Sequence, residues 1–413
     1  MGKKINFGIG FIAGRPNVCN IINRYYKYLL EQVEGLESKV EFTIFVLFDL
    51  SYQHTTRTDF YCVLPEVYKN IRVKYITPED IEEDKKKIMS MFDLTKREAE
   101  LLIGNGYAKA RNTILYHALK RKIDYLLYWD DDEYPLAVYE EEKELKWFKQ
   151  KNVLQHIQSI KNSDITMGYR CGMMSPTPYI QYNDTITEED YKAFIKGLEN
   201  DAISWDKIQW LREHNRSFSY AEKDVVTGKT ETRLVKKGDI LYGSGLCLNL
   251  NHLSKIPAFY NPPGARGEDT FFACALSVKN AKIVQVPTYH FHDSFLKYTS
   301  LMRDVFPKTL RRISLDDNGI EQRFLKTTIG WIKYKPLYIY ITDRKNYNKT
   351  IKEAKENLAK SIDKISTAFE TCDFSCLLRE LEDYDKNVKK HYKEYIETTE
   401  VWDRLKMKMK EMK

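Results

Sequence analysis

The sequence predicts an α/β fold, with a mostly parallel, Rossmann-like sheet carrying helices on both faces and a helical carboxyl-terminal extension. Three observations carry this. Apolar, β-branched runs alternate with helix-period segments through the first third of the chain; one of those runs ends in four consecutive acids; and past about residue 300 the pattern turns wholly helical.

Residues 5–12 form an apolar run punctuated by glycine, and Gly14-Arg15-Pro16-Asn17 reads as the turn that follows it. Helical spacing over 21–33 leads to a β-branched and aromatic strand over 40–48, ending at Asp49, and a third short strand covers 71–76. Residues 79–102 are charged and helical in pattern, and a helix over 108–119 feeds the strand at 123–129. Its Tyr-Leu-Leu-Tyr-Trp core is continuously apolar, as in a strand covered on both faces. The middle is less regular: a strand at 164–169, a helical insertion over 188–211, and a hairpin or strand rich in small residues over 233–250. Farther on, Ile351, Leu358 and Ile365 recur every seven residues beside Ala354 and Ile362, a stripe expected to pack on a neighbouring helix. The basic, Met-rich segment 404–413 is expected to fray. The division predicted is an α/β domain over 1–300 and a helical extension over 301–413, whose stripe holds no acidic or His cluster and which is expected to be dispensable for the chemistry of the first part.

Of the 413 residues 43 % are hydrophobic and 30 % charged, with 18 Gly and 12 Pro, which excludes collagen-like, low-complexity and disordered chains. No apolar run approaches the ~20 residues of a membrane span, and Met1-Gly2-Lys3-Lys4 leads into a strand without a signal-type stretch. A cytoplasmic protein, or one peripheral at the inner face of the membrane, is therefore expected. Seven scattered cysteines make no disulfide framework, so reduced and mostly buried thiols are expected. A net charge of +7 suits anionic ligands without identifying one.

Asp130-Asp131-Asp132-Glu133 follows directly on the buried strand, so the acids lie at the carboxyl edge of the sheet, where open α/β folds place their ligand crevice. Four adjacent carboxylates repel one another, and a hard cation such as Mn²⁺ or Mg²⁺ relieves that cost with oxygen ligands of this kind. A P-loop ATPase is excluded, because Gly228-Lys229-Thr230 has Lys223 where its loop needs the first glycine.

Three blocks in order resemble the family 2-like glycosyltransferases of GT-A fold. Lys109-Ala110-Arg111-Asn112, leading by a helix into the strand and Asp130-Asp131-Asp132, is similar to the family's A-R-N helix and D-x-D strand. Gly243-Ser244-Gly245, then Gly267-Glu268-Asp269-Thr270, resembles its small-residue strand and acidic E-D helix start. His290-Phe291-His292 resembles the late strand whose His completes the metal site in many members. The resemblance spans Ala108 to His292; at the amino-terminal end only Asp49, in the turn over 48–52, matches the family's base-binding acid.

The resemblance implies a metal-dependent, inverting transfer of a sugar from a nucleoside-diphosphate donor, a UDP- or GDP-sugar, to an acceptor hydroxyl on a glycan, lipid, protein or nucleic acid. Asp132, Asp130 and His292 would hold the metal, and His290 is the weaker ligand candidate. Asp49, Arg111, Asp130 and Asp131 would line the donor site, Asp131 with a mainly structural share. Asp269 would be the catalytic base, against a competing role in capping its helix, and Glu268 would position the acceptor. Trp205, Trp210 and Tyr179 are candidates for shaping the acceptor cleft or for core packing. The carboxyl-terminal helices could serve oligomerisation or weak membrane-surface contact. Two rivals stand beside this reading: a nucleotidyltransferase on the same sheet, and a catalytically silent carbohydrate-binding or scaffold protein.

Overall fold

The computed structural model describes residues 4–51, 55–173, 177–214, 218–236, 239–311, 313–370 and 372–411. Strand β1 (Ile5–Ala13) buries Phe7, Ile9 and Phe11 on one face of a sheet, while Gly8 and Gly10 let residues of the other face approach closely. β2 (Val40–Phe48) and β3 (Arg72–Ile76) extend the sheet on one side and β4 (Tyr125–Tyr128) on the other, all parallel. With β5 (Ile165–Met173), β6 (Leu246–Asn249) and β7 (Ile283–His292), the order is β3-β2-β1-β4-β6-β5-β7, and Arg233–Leu234 borders β7. β5 and β7 are parallel to each other, but β6 runs antiparallel to both β4 and β5. The sheet is therefore mixed, which corrects the expectation of a mostly parallel one. Leu246-Cys247-Leu248 is buried on both faces, and a run of that kind carries no sign of its direction.

Helices cover both faces. On one, α1 (Asn17–Glu31) buries Val18, Ile22 and Tyr25 against Phe7, Ile9 and Phe11. The segment read as one helix over 79–102 is two, α2 (Pro78–Phe92) and α3 (Lys96–Leu102): Asp93 turns left-handed, and Thr95 starts the second with a capping box to Glu98. They share the other face with α4 (Tyr107–Lys120), whose Ile114 and Leu115 meet Leu126 and Tyr128. α5 (Asn152–Ile160) returns to the α1 face. The predicted insertion is α6 (Glu188–Leu198) and α7 (Trp205–Glu213), and α8 (Glu268–Val278) carries the acidic pair.

Residues past 300 are helical, as the sequence predicts: α9 (Ile320–Thr342), α10 (Tyr347–Ala368), α11 (Cys376–Lys386) and α12 (Val388–Glu411). The seven-residue stripe is core. Ile351, Ala354, Leu358, Ile362 and Ile365 are buried with Tyr191, Phe194 and Leu198 of α6 and Phe271 of α8. On α12, Val401, Trp402 and Leu405 join the cluster under α4, and Lys406 Nζ donates to the Ile256 carbonyl at 2.8 Å. The basic end is thus a docked helix to Glu411, not a frayed tail, because its ammonium groups find backbone carbonyls; residues 412–413 lie outside the described residues. Shared cores also change the expectation for a shortened chain. Truncation before Tyr347 removes a wall of the cluster around Phe194 and Phe271, and is expected to give aggregated protein or one without near-ultraviolet circular dichroism. A soluble truncation that keeps its near-ultraviolet circular dichroism would contradict that packing argument.

Cys19 and Cys62 form a disulfide, which corrects the expectation that all the thiols are reduced. Their 43-residue separation gives no spacing signal; α1 and the segment after the turn Arg57–Phe60 bring them together. Such bonds persist in oxidising compartments, which sits poorly with the cytoplasmic placement. Cys62→Ser is expected to lower unfolding stability by ~2–4 kcal/mol under oxidising conditions and to change nothing under reductant. Among the described residues no helix is long and apolar enough to cross a membrane.

Candidate active site

The strand order reverses between β1 and β4, both of which run toward the same edge, and a reversal of this kind opens a crevice at the carboxyl ends. The chain leaves β4 as Trp129-Asp130-Asp131-Asp132 into that crevice. Asp131 is taken up by the turn after β1: it accepts from the backbone N–H of Gly14 at 2.9 Å and of Arg15 at 2.8 Å, and from the Arg15 guanidinium. These bonds tie the end of β4 to the turn after β1. The next residues bend back as a short strand on β7, with Glu133 opposite His292, and Asp293 N–H donates to the Asp132 carbonyl at 2.9 Å. This pairing sets His292 Nε2 3.4 Å from Asp132 Oδ2, while Arg15 Nη1 lies 3.2 Å from the same oxygen. His292 and Arg15 together hold the Asp132 carboxyl well below the usual carboxylate range.

Asp130 is the member of the cluster that faces the crevice, with 33 % of its side chain exposed. Arg111 Nη2 stands 3.7 Å from one of its oxygens and Arg170 Nη2 3.8 Å from the other. Arg111 also places Nε 3.4 Å from Glu268 and donates from Nη1 to the Gly243 carbonyl at 2.8 Å. A Cβ at Gly243 would crowd the Arg111 guanidinium, so a larger residue there would push that side chain aside. The Arg111 helix is fixed in turn by Asn112, which exchanges two hydrogen bonds of 2.9 and 2.8 Å with the backbone of Phe259. The A-R-N, G-S-G, D-x-D and E-D segments therefore meet at one side chain.

Glu133 is buried and accepts from Arg170 at 2.7 Å and from the Ser244 hydroxyl. His290 is buried edge-on against Trp129, and burial pushes its imidazole down to about 3, so it stays neutral. Asp269 opens α8 at a half-buried position, with its Oδ1 accepting from the Thr270 N–H at 2.9 Å. Burial, with Glu268 and Asp201 adding to it and Arg111 opposing, raises its carboxyl to about 7. Gly267, with φ 93°, caps the helix and lies against the Tyr334 ring of α9. Asp49 follows β2 next to the end of β1, with its oxygen accepting from Ser51, and its neighbour Tyr52 lies outside the described residues. Trp205 is core beside Tyr191, Trp210 is exposed and stacked on His214, and Tyr179 flanks Arg212.

Sequence reasoning missed Arg15, Arg170 and Ser244. The signal available for Arg15 was its position in the turn after the strand beside β4, and for Ser244 its place in the Gly243-Ser244-Gly245 segment; Arg170 carried none.

Among the described residues no group of three or more His, Cys, Asp or Glu forms a metal cage. Carboxylate oxygens are nevertheless of the kind a divalent cation takes when it is shared with a ligand. Asp130, Asp131, Asp132, Glu133 and Glu268 gather around the three guanidiniums of Arg15, Arg111 and Arg170, and burial raises the carboxyls of Asp130 and Asp131 above the usual range. Mg²⁺-like ions are commonly held by one or two carboxylates together with substrate phosphates, so no closed protein cage is needed. No protein-family model matches the chain, and no curated protein is detectably similar to it.

Proposed function

We propose that this protein is a metal-dependent glycosyltransferase of GT-A type, moving a sugar from a nucleoside-diphosphate donor to an acceptor hydroxyl by inversion. The observation that carries the reading is the Arg111 guanidinium between Asp130 and Glu268, which joins a phosphate-and-metal side of the crevice to an acid side across 157 residues of sequence between Arg111 and Glu268. The switch point between β1 and β4 supports it, since nucleotides bind at such places.

In this reading the donor diphosphate lies at the ends of β1 and β4, facing Arg111 and Arg170, with its base toward Asp49. Asp132 and Asp130, with His292, would hold a Mn²⁺ or Mg²⁺, which would supply positive charge to the leaving diphosphate. Asp269 accepts the acceptor's proton as the acceptor oxygen bonds to the anomeric carbon and the bond from that carbon to the diphosphate oxygen breaks. The nucleoside diphosphate leaves with the bonding pair, and Glu268, tied to Arg111, orients the acceptor side. A general base works best with a pKa near the working pH, which is where burial and the neighbouring acids put Asp269. The test is a thermal-shift series of nucleoside diphosphates and nucleotide sugars with and without Mn²⁺. Stabilisation by one nucleotide series that requires Mn²⁺ is expected, and an absence of any such stabilisation would favour the silent scaffold.

A further inference from the structure

Asp201 lies in the turn between α6 and α7, which Asn200 shapes by accepting from the N–H groups of Ala202 and Ile203. Its two oxygens accept from neutral hydroxyls on two other elements: Thr270 Oγ1 of α8 at 2.5 Å and Tyr334 Oη of α9 at 2.7 Å. Lys207, the cation beside it, donates instead to the backbone carbonyls of Asp201 and Ala202. A carboxylate kept only for structure is ordinarily paired with a cation or caps a helix. This one is held by uncharged donors, so its charge acts outward on what lies near. What lies near is Asp269, because the same Thr270 that holds Asp201 with its hydroxyl holds Asp269 with its N–H.

We propose that Asp201 is a positioning residue for the active centre: anchored by Thr270 and by Tyr334 of the carboxyl-terminal helices, its anion strengthens Asp269 as the base. The proposal rests on the reading of Asp269 as that base. It also gives the carboxyl-terminal helices a part in the chemistry, since the buried Tyr334 ring packs on Gly267, at the start of the Asp269 helix. The groups facing Asp269 are Glu268 on its own helix, Asp201 from the α6–α7 turn, Arg111 from α4 and the phenol of Tyr334 from α9. The two acids favour the protonated carboxyl and Arg111 opposes them. Burial pushes the Tyr334 phenol far up, so it remains a hydrogen-bond donor and adds no charge.

The direct test needs no substrate. Carboxyl-carbon NMR of the full chain labelled at Asp gives the Asp269 titration, identified by the resonance lost in Asp269→Asn. In Asp201→Asn the midpoint is expected to fall by about one pH unit, because a like charge has been removed. Thr270→Val, which frees Asp201 without deleting it, should move the midpoint in the same direction, and Thr270→Ser should restore it. An unchanged midpoint in Thr270→Val and in folded Asp201→Asn would overturn the proposal, and Thr270→Val decides alone should Asp201→Asn not fold. Failure of the underlying reading shows separately: an Asp269→Asn protein that still transfers sugar has no base at this position, and the proposal falls with it.

Discussion

Asp269→Asn is expected to keep nucleotide and Mn²⁺ affinity while sugar transfer falls by on the order of 10² to 10⁴, the usual contribution of a general base. Asn preserves size and can still accept the Thr270 N–H, but it cannot take a proton. The sign of the pH effect follows from the same group. The carboxyl titrates near 7, so wild-type transfer should rise through that pH and level off above it. Stability should run the other way: a raised carboxyl pKa means the folded state holds the proton longer than the unfolded one, so folding weakens as pH rises from the unfolded value toward about 7. The Asn variant escapes that loss and should melt no lower than wild type at pH 8. If Asp269 only capped its helix, Asn would serve about as well, and both turnover and melting would be unchanged. Transfer within about threefold of wild type would remove the catalytic assignment and turn attention to Glu268.

Asp132→Ala is expected to abolish Mn²⁺-dependent binding of nucleoside diphosphate while the protein stays folded. Arg15 remains paired with Asp131 in the variant, so no buried cation is left alone. In wild type a nucleotide at a hundred times its dissociation constant stabilises the native state by about 2.7 kcal/mol. That increment should vanish in the variant. An undiminished Mn²⁺-dependent shift would take the metal role away from Asp132.

β1, β2 and β4 were legible because each is a largely apolar run, and so was the position of the acids at the end of β4, since an apolar strand ending in acids needs no long-range information. The direction of β6 was not legible, and neither was the Cys19–Cys62 bond: both depend on which distant segment lies alongside. Arg15 and Arg170 were missed for a related reason. Four adjacent acids read alone call for a cation, and much of that charge is met by guanidiniums from the turn after β1 and from β5, elements that only the folded sheet brings close to the end of β4. Asp201 and Tyr334 lie 68 and 65 residues to either side of Asp269, so no local pattern links them. The seven-residue stripe of α10 was legible as a packing face, but its partner α6 was not.

The measurement that bears most directly on the central claim is product analysis of the purified full chain with a panel of nucleotide sugars and Mn²⁺, alone and with candidate acceptor glycans. The account predicts that one donor is consumed with release of its nucleoside diphosphate, that consumption stops on chelation of the metal, and that it persists as slow hydrolysis without acceptor. Formation of pyrophosphate would instead identify nucleotidyl transfer, and a chain that neither binds nor consumes any donor would be a scaffold that carries these acids for another purpose.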